Sequence, residues 1–208
     1  MMAKVCGLTT AADVAAALAA GADLVGFLHH PPSPRHCPDP ALAGSAGDRA
    51  ILVTVAPDAA TLLERARQGG TRWVQPYLPA PERARALAQL REGAFRVLLP
   101  WPDEPDQEAY AADLYLWETS PRDTGLLGGS GRGHAMRFPP PGLFLLGGGL
   151  RAELLAGRLE AMPAGLRAAC LGFDAASGLE DRPGRKDPAR VAAFVATAHA
   201  LNPERSAL

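Results

Sequence analysis

A chain of 208 residues with 48% apolar and 21% charged residues has ordinary globular composition, which excludes a disordered, collagen-like or coiled-coil chain. Its 21 basic and 22 acidic residues leave a formal charge of −1, so it lacks the basic excess on which nucleic-acid binding depends. No apolar run approaches the roughly 18 residues of a membrane-spanning helix, and the length predicts a single domain over residues 1–208.

Short apolar runs alternate with amphipathic stretches. The pattern predicts strands over residues 3–8, 24–28, 50–55, 73–78, 95–101, 114–119, 142–146 and 169–173. Thr9 or Thr10 caps an alanine-rich helix that ends near Gly21. A proline-rich loop, 31–40, leaves room for only a short helix before Gly47. Asp58 caps a helix that stops at Gly69-Gly70, and Pro81 suits the first turn of one over 81–91. A short helix is expected over 105–112, a longer one over 151–162, and a last one over 187–201 with Asp187 as cap and Pro188 behind it. The glycine-rich stretch 125–133 reads as a loop in place of a helix.

Strands that alternate with helices imply right-handed crossovers and a parallel sheet. Eight of them imply a closed (β/α)8 barrel, small and with some helices short or replaced by loops; the rival is an open doubly wound sheet. The N-terminus does not read as a signal peptide, because Asp13 and Asp23 interrupt its apolar stretch. Three scattered cysteines, Cys6, Cys37 and Cys170, form no CxxC pair and no disulfide framework, which fits a reducing cytoplasm.

In a barrel the chemistry sits at the C-terminal ends of the strands. Glycine-rich turns follow strands 6, 7 and 8, at Gly128-Gly129-Ser130-Gly131, Gly147-Gly148-Gly149 and Ala176-Ser177-Gly178. Backbone N–H groups there can hold a phosphate without a lysine, and the chain has only two lysines, Lys4 and Lys186. The alternative is that they are merely tight turns. No Gly-Lys-Ser/Thr follows them, so they are not a P-loop.

Cys6 ends the first strand and faces the expected site, as a base or nucleophile or as a small buried hydrophobe. Glu118 is the lone carboxylate of an apolar strand, and Asp174 has the same place in strand 8. Each is a candidate acid with a raised pKa, or half of a salt bridge to Lys4 or an arginine. Arg35, in a rigid Ser-Pro-Arg loop, can grip a carboxylate with two parallel bonds, or be a solvated surface arginine. The adjacent histidines His29 and His30 point to opposite faces and make a poor metal site, so no metal is expected.

Ordered along the chain, these residues resemble one family. Lys4-Val5-Cys6-Gly7-Leu8-Thr9 is similar to the first-strand motif Lys-Ile-Cys-Gly-Leu-Thr of phosphoribosylanthranilate isomerases. Gly21-Ala22-Asp23, Gly26-Phe27 and Ser33-Pro34-Arg35 resemble its second strand and loop. Gly128-Gly129-Ser130-Gly131, Gly148-Gly149-Leu150, and Asp174 with Ser177-Gly178-Leu179-Glu180, Pro183-Gly184 and Lys186-Asp187 resemble its later turns. Three departures stand out: Glu118 occupies the place of an aspartate, Gln75-Pro76-Tyr77 that of Gln-Leu-His-Gly, and Ala175-Ala176 that of more polar residues before Ser177.

The resemblance implies a barrel enzyme of tryptophan biosynthesis. Its reaction is an Amadori rearrangement of N-(5′-phosphoribosyl)anthranilate, without a cofactor. It implies Cys6 as general base and Glu118 as general acid, with Asp123 nearby as a less well placed substitute. Arg35 would hold the anthranilate carboxylate and Asp174 would contact the sugar. The backbone around Ser130, Gly148, Gly149, Ala176 and Ser177 would hold the phosphate. The partner is then a small phosphorylated substrate, with neither nucleic acid nor membrane, and the chain stands alone or as a homodimer. The other readings are a barrel isomerase of another phosphorylated aminoaldose and an inactive phosphosugar-binding barrel.

Overall fold

The computed structural model describes residues 1–105, 108–119 and 135–201. Eight parallel strands close into a barrel in chain order. They are β1 (Met2–Cys6), β2 (Leu24–His29), β3 (Ala50–Val55), β4 (Trp73–Tyr77), β5 (Arg96–Pro102), β6 (Leu114–Glu118), β7 (Phe144–Leu146) and β8 (Cys170–Ala175). The ring shuts at β1, where Lys4 lies opposite Leu24 on one side and Asp174 on the other.

Side chains alternate along each strand, so one set points into the barrel and the other toward the surrounding helices. Leu24, Ile51, Val53, Leu98, Leu114, Leu116 and Leu145 fill the interior. Val25, Phe27, Val74, Tyr115, Trp117 and Phe144 belong to the outer layer. There Trp117 and Phe144, on neighbouring strands, meet edge to face with ring centroids 5.4 Å apart. The same alternation turns Cys6, Gln75, Tyr77 and Glu118 inward at the strand ends, which places all the chemistry in one mouth.

The helices start where the sequence provides caps. Thr10 Oγ1 accepts the Asp13 N–H at 3.1 Å and opens α1 (Ala11–Ala19). A five-residue α2 (Pro40–Gly44) precedes Gly47. Asp58 accepts the Thr61 N–H at 2.7 Å and opens α3 (Ala59–Gln68), which is followed by α4 (Ala80–Glu92). After β7 come a single 3₁₀ turn, Ala152–Leu154, and two short helices, α5 (Leu155–Glu160) and α6 (Ala164–Ala169). The last helix, α7 (Pro188–Ala200), is capped by Asp187 and buries Val191, Phe194, Val195 and Ala198.

Three segments differ from the sequence expectation. Residues 108–112 are not helical. Side chains instead hold two carbonyls of this stretch: Tyr115 Oη donates to Tyr110 O at 2.6 Å, and Arg91 donates to Ala111 O. The helix expected over 151–162 is shorter and begins as a 3₁₀ turn, and α6 follows it behind Pro163. Gly157 weakens the first of these helices, and Pro163 forces the restart. Finally, a two-stranded hairpin, β9 (Glu180–Arg182) with β10 (Arg185–Lys186), turns at Pro183-Gly184. Strands this short carry no readable periodicity. Thr9 Oγ1 donates to Gly184 O at 2.7 Å and ties this hairpin to the loop after β1.

Leu116 is 1% exposed in the middle of the barrel interior. Leu116→Ala is expected to cost about 2–5 kcal/mol, because the ring of strands cannot collapse onto the void. Urea unfolding of the two proteins measures it.

Candidate active site

A cavity of about 600 Å³ opens at the C-terminal ends of the strands, lined by Cys6, Arg35, Gln75, Tyr77, Glu118 and Asp174. The structure thus brings four of the expected residues, Cys6, Arg35, Glu118 and Asp174, into one space, with Ala176 at its edge.

Cys6 is partly buried and free of any disulfide, as are Cys37 and Cys170, which pack elsewhere. Its thiol lies over Gly26 of the neighbouring strand: a Cβ at Gly26 would stand 2.7 Å from Cys6 Sγ. Any larger residue at position 26 would therefore displace the sulfur. Burial pushes the Cys6 thiol up; the cations Lys4 and Lys186 oppose this shift and Asp174 adds to it.

Lys4 is fully buried and donates to Asp174 Oδ1 at 2.6 Å. Burial alone would lower the Lys4 ammonium, but Asp174 and Cys6 outweigh it and raise its pKa, so Lys4 stays charged beside the thiol. For Asp174 the salt-bridge reading holds. Glu118 differs: among the described residues it makes no ion pair. It is 6% exposed, and burial pushes its carboxyl up to about 8, with Tyr77 and Lys4 pulling the other way and Asp174 adding to the rise. Glu118 is therefore a neutral proton donor near pH 7.

Arg35 is not a solvated surface residue. Its Nε and Nη2 donate to the two oxygens of Glu180, each at 2.8 Å. Lys186 Nζ donates to the same carboxylate at 2.8 Å and to Ala176 O at 3.0 Å. Burial alone would raise Glu180, but Arg35 and Lys186 reverse that and lower it; Lys186 is lowered by burial, which Glu180 only partly offsets. Glu180 thus fixes the guanidinium plane and leaves Arg35 Nη1 without a hydrogen bond among the described residues.

Beyond β7 and β8 a second cavity of about 490 Å³ is lined by Gly149, Arg151, Ser177, Gly178 and Arg190. Gly148 and Gly149 make the turn into it with φ of 93° and 62°, a conformation that favours glycine. Ser130 and Asp123 lie outside the described residues.

Sequence reasoning gave no role to Gln75, Tyr77, Glu180 or Arg190. Gln75 stood in the sequence as the first residue of the family's Gln-Leu-His-Gly, and Tyr77 was visible only as a departure from that motif. Glu180 sat inside a quoted signature with no hint of its partners, which come from loops 145 residues away and from the hairpin. Arg190 lies one turn into α7, where a charged residue reads as solvated surface.

Known proteins fit this geometry. No protein-family model matches the chain. The N-(5′-phosphoribosyl)anthranilate isomerase of Azorhizobium caulinodans is 37% identical to it, over 92% of this chain and 89% of the relative. TrpF from Jonesia denitrificans superposes with a TM-score of 0.73 at 30% identity, covering 97% of this chain and 98% of that one. A phosphoribosyl anthranilate isomerase from Thermus thermophilus shares the fold with a TM-score of 0.76 at 24% identity, covering 97% of this chain and 100% of that one.

The buried Glu118 carboxyl has a consequence for stability. The folded state keeps its proton up to about 8, whereas an unfolded glutamate releases it near 4.5. Between these values the folded chain holds more protons, so this contribution to stability is full below 4.5 and is lost as pH rises through 8. Glu118→Gln removes the liability. Its stability gain over the unmodified chain is expected to grow from pH 5 to pH 9 in denaturant titrations, and a constant difference across this range would contradict the raised pKa.

Proposed function

The chain belongs to the phosphoribosylanthranilate isomerase family, and we propose that it converts N-(5′-phosphoribosyl)anthranilate to 1-(2-carboxyphenylamino)-1-deoxyribulose 5-phosphate with Glu118 as general acid and Cys6 as general base. The observation that carries this reading is the pairing of opposite roles in one cavity. A buried carboxyl that keeps its proton shares the lining with a thiol that stands beside a buried cation. Opening a sugar ring and moving one proton requires an acid and a base of this kind.

Glu118 gives its proton to the ring oxygen. The C1′–O bond breaks as the anilino nitrogen's lone pair forms an iminium. Cys6, whose thiol proton has first passed to solvent, then takes the C2′ proton as the thiolate, and the C–H electrons neutralise the iminium to give an enolamine. A proton moved from the C2′ hydroxyl to C1′ yields the ketone, and a proton returned from Cys6 to Glu118 restores both groups. The sum is an isomerisation that consumes no co-reactant. The iminium formed beside Cys6 favours the thiolate at the step that needs it, as Lys4 does throughout.

The substrate's two anionic ends match the two sides of the mouth. Arg35, held flat by Glu180, offers its open edge to the carboxylate. The turns at Gly148-Gly149 and Ala176-Ser177 offer backbone donors to the phosphate, with the Arg190 guanidinium lining the same cavity. Asp174, pinned by Lys4, faces the sugar between them. Binding both ends fixes the reacting carbons against the acid and the base.

Turnover of freshly generated N-(5′-phosphoribosyl)anthranilate, followed by loss of its fluorescence, tests the activity. Cys6→Ala is expected to lower kcat by about a hundredfold or more while a phosphorylated product analogue still binds. Unchanged turnover would remove Cys6 from the mechanism. Ser177→Asp places a negative charge in the phosphate cavity. It is expected to raise KM about tenfold or more with little change in kcat, since like charges brought together repel. An unchanged KM would move the phosphate elsewhere.

A further inference from the structure

Glu118 borders two open volumes. One is the polar cavity that holds Cys6, Arg35 and Asp174. The other is a largely apolar cavity of about 520 Å³, lined by Pro57, Pro76, Leu78 and Leu99. A glutamate has three side-chain torsions, and no ion pair fixes this one among the described residues. The contact that does hold it comes from Tyr77, which lines both cavities. Tyr77 Oη lies 3.0 Å from Glu118 Oε1 and 3.1 Å from Oε2.

The direction of that hydroxyl is also set. Gln75 Nε2 donates to Tyr77 Oη at 3.0 Å, which occupies the oxygen as an acceptor and turns its single proton toward Glu118. The arrangement has a cost that shows elsewhere: Gln75 Oε1 is buried with no hydrogen-bond partner. An amide that leaves its own oxygen unsatisfied in order to donate to a tyrosine is unfavourable for folding, and such exceptions call for a functional reason.

We propose that Tyr77 is a positioning residue for the proton transfer: its hydroxyl, directed by Gln75, holds the Glu118 carboxyl at the polar cavity and stabilises the carboxylate that remains once the proton has been given. This rests on Glu118 being the acid. A hydrogen bond to a carboxylate is stronger than one to a neutral carboxyl, so Tyr77 favours proton release. The other titratable or charged groups that face the pair are Lys4 and Cys6 from β1, His30 and Arg35 from the loop after β2, Arg83 from α4 and Asp174 from β8. None of these donates a hydrogen bond to Glu118.

Tyr77→Phe keeps the ring and removes only the hydroxyl. The protonated Glu118 carboxyl is followed by its infrared band during a pH titration, with the band assigned by its loss in Glu118→Gln. In Tyr77→Phe the band is expected to persist to higher pH than in the unmodified chain. In the same variant kcat is expected to fall about tenfold or more, the worth of one hydrogen bond to a charged group, with KM changing less than about threefold. Gln75→Leu, which frees the hydroxyl to rotate, is expected to move the band the same way by less. A midpoint unmoved in both variants, or a loss confined to KM, overturns the proposal. Glu118→Gln judges the underlying assignment separately: if it turns over normally, Glu118 is not the acid, whatever the infrared titration says of its coupling to Tyr77.

Discussion

A lysine with no exposed surface must be paired, and Lys4 finds its partner across the seam of the barrel. Its ammonium meets Asp174 at 2.6 Å, where the first strand lies against the last. Breaking a buried pair of this kind by removing one partner typically costs about 3–5 kcal/mol, because the remaining charge is stranded. The bond therefore specifies the register in which the ring closes. It also sets the chemistry, since Lys4 and Cys6 are two residues apart on the same inward face of β1. One contact thus locks the fold, keeps a cation beside the thiol and immobilises the Asp174 carboxylate in the mouth of the barrel.

The rest of the mouth repeats this use of charge to hold charge. Glu180 binds Arg35 with both oxygens and Lys186 with one, and Lys186 in turn reaches the Ala176 carbonyl in the turn after β8. The hairpin that presents Glu180 and Lys186 is therefore the brace between the Arg35 side of the mouth and the turn after β8. Two ends held at a fixed separation are what an enzyme needs when binding energy must align a substrate rather than merely retain it. Glu118 stands apart from both networks. Among the described residues it makes no ion pair, and burial outweighs the pull of Tyr77 and Lys4, so it keeps its proton.

Much of this was legible in the chain. The short apolar runs located all eight strands, with ends correct to within two residues, because strands buried both on the leucine interior and on the outer layer read as continuous apolar stretches. Caps at Thr10, Asp58 and Asp187 marked three helices through single side-chain bonds that need no tertiary context. What the sequence hid was decided over long distances. The stretch 108–112 is held open by Tyr115 and Arg91, side chains from a later strand and an earlier helix. Glu180 stood in the sequence only as part of a quoted signature, and its partners emerge once the hairpin folds back over the loop that carries Arg35.

The site residues divide along the same line. Cys6, Arg35 and Asp174 line one cavity because strand ends and a proline-fixed loop determine where they point. The function of Tyr77 was not, because it depends on an adjacent residue's amide and on a carboxyl two strands away in the ring, neither of which local pattern can reveal. Yet one signal was present. A longer acid at position 118 and an unexpected tyrosine at 77 are two of the three departures from the motif set, and the structure joins them by a hydrogen bond. Paired departures that meet in space are what a compensating change leaves behind: an acid one methylene longer has more ways to point wrongly, and the phenol at Tyr77 removes them.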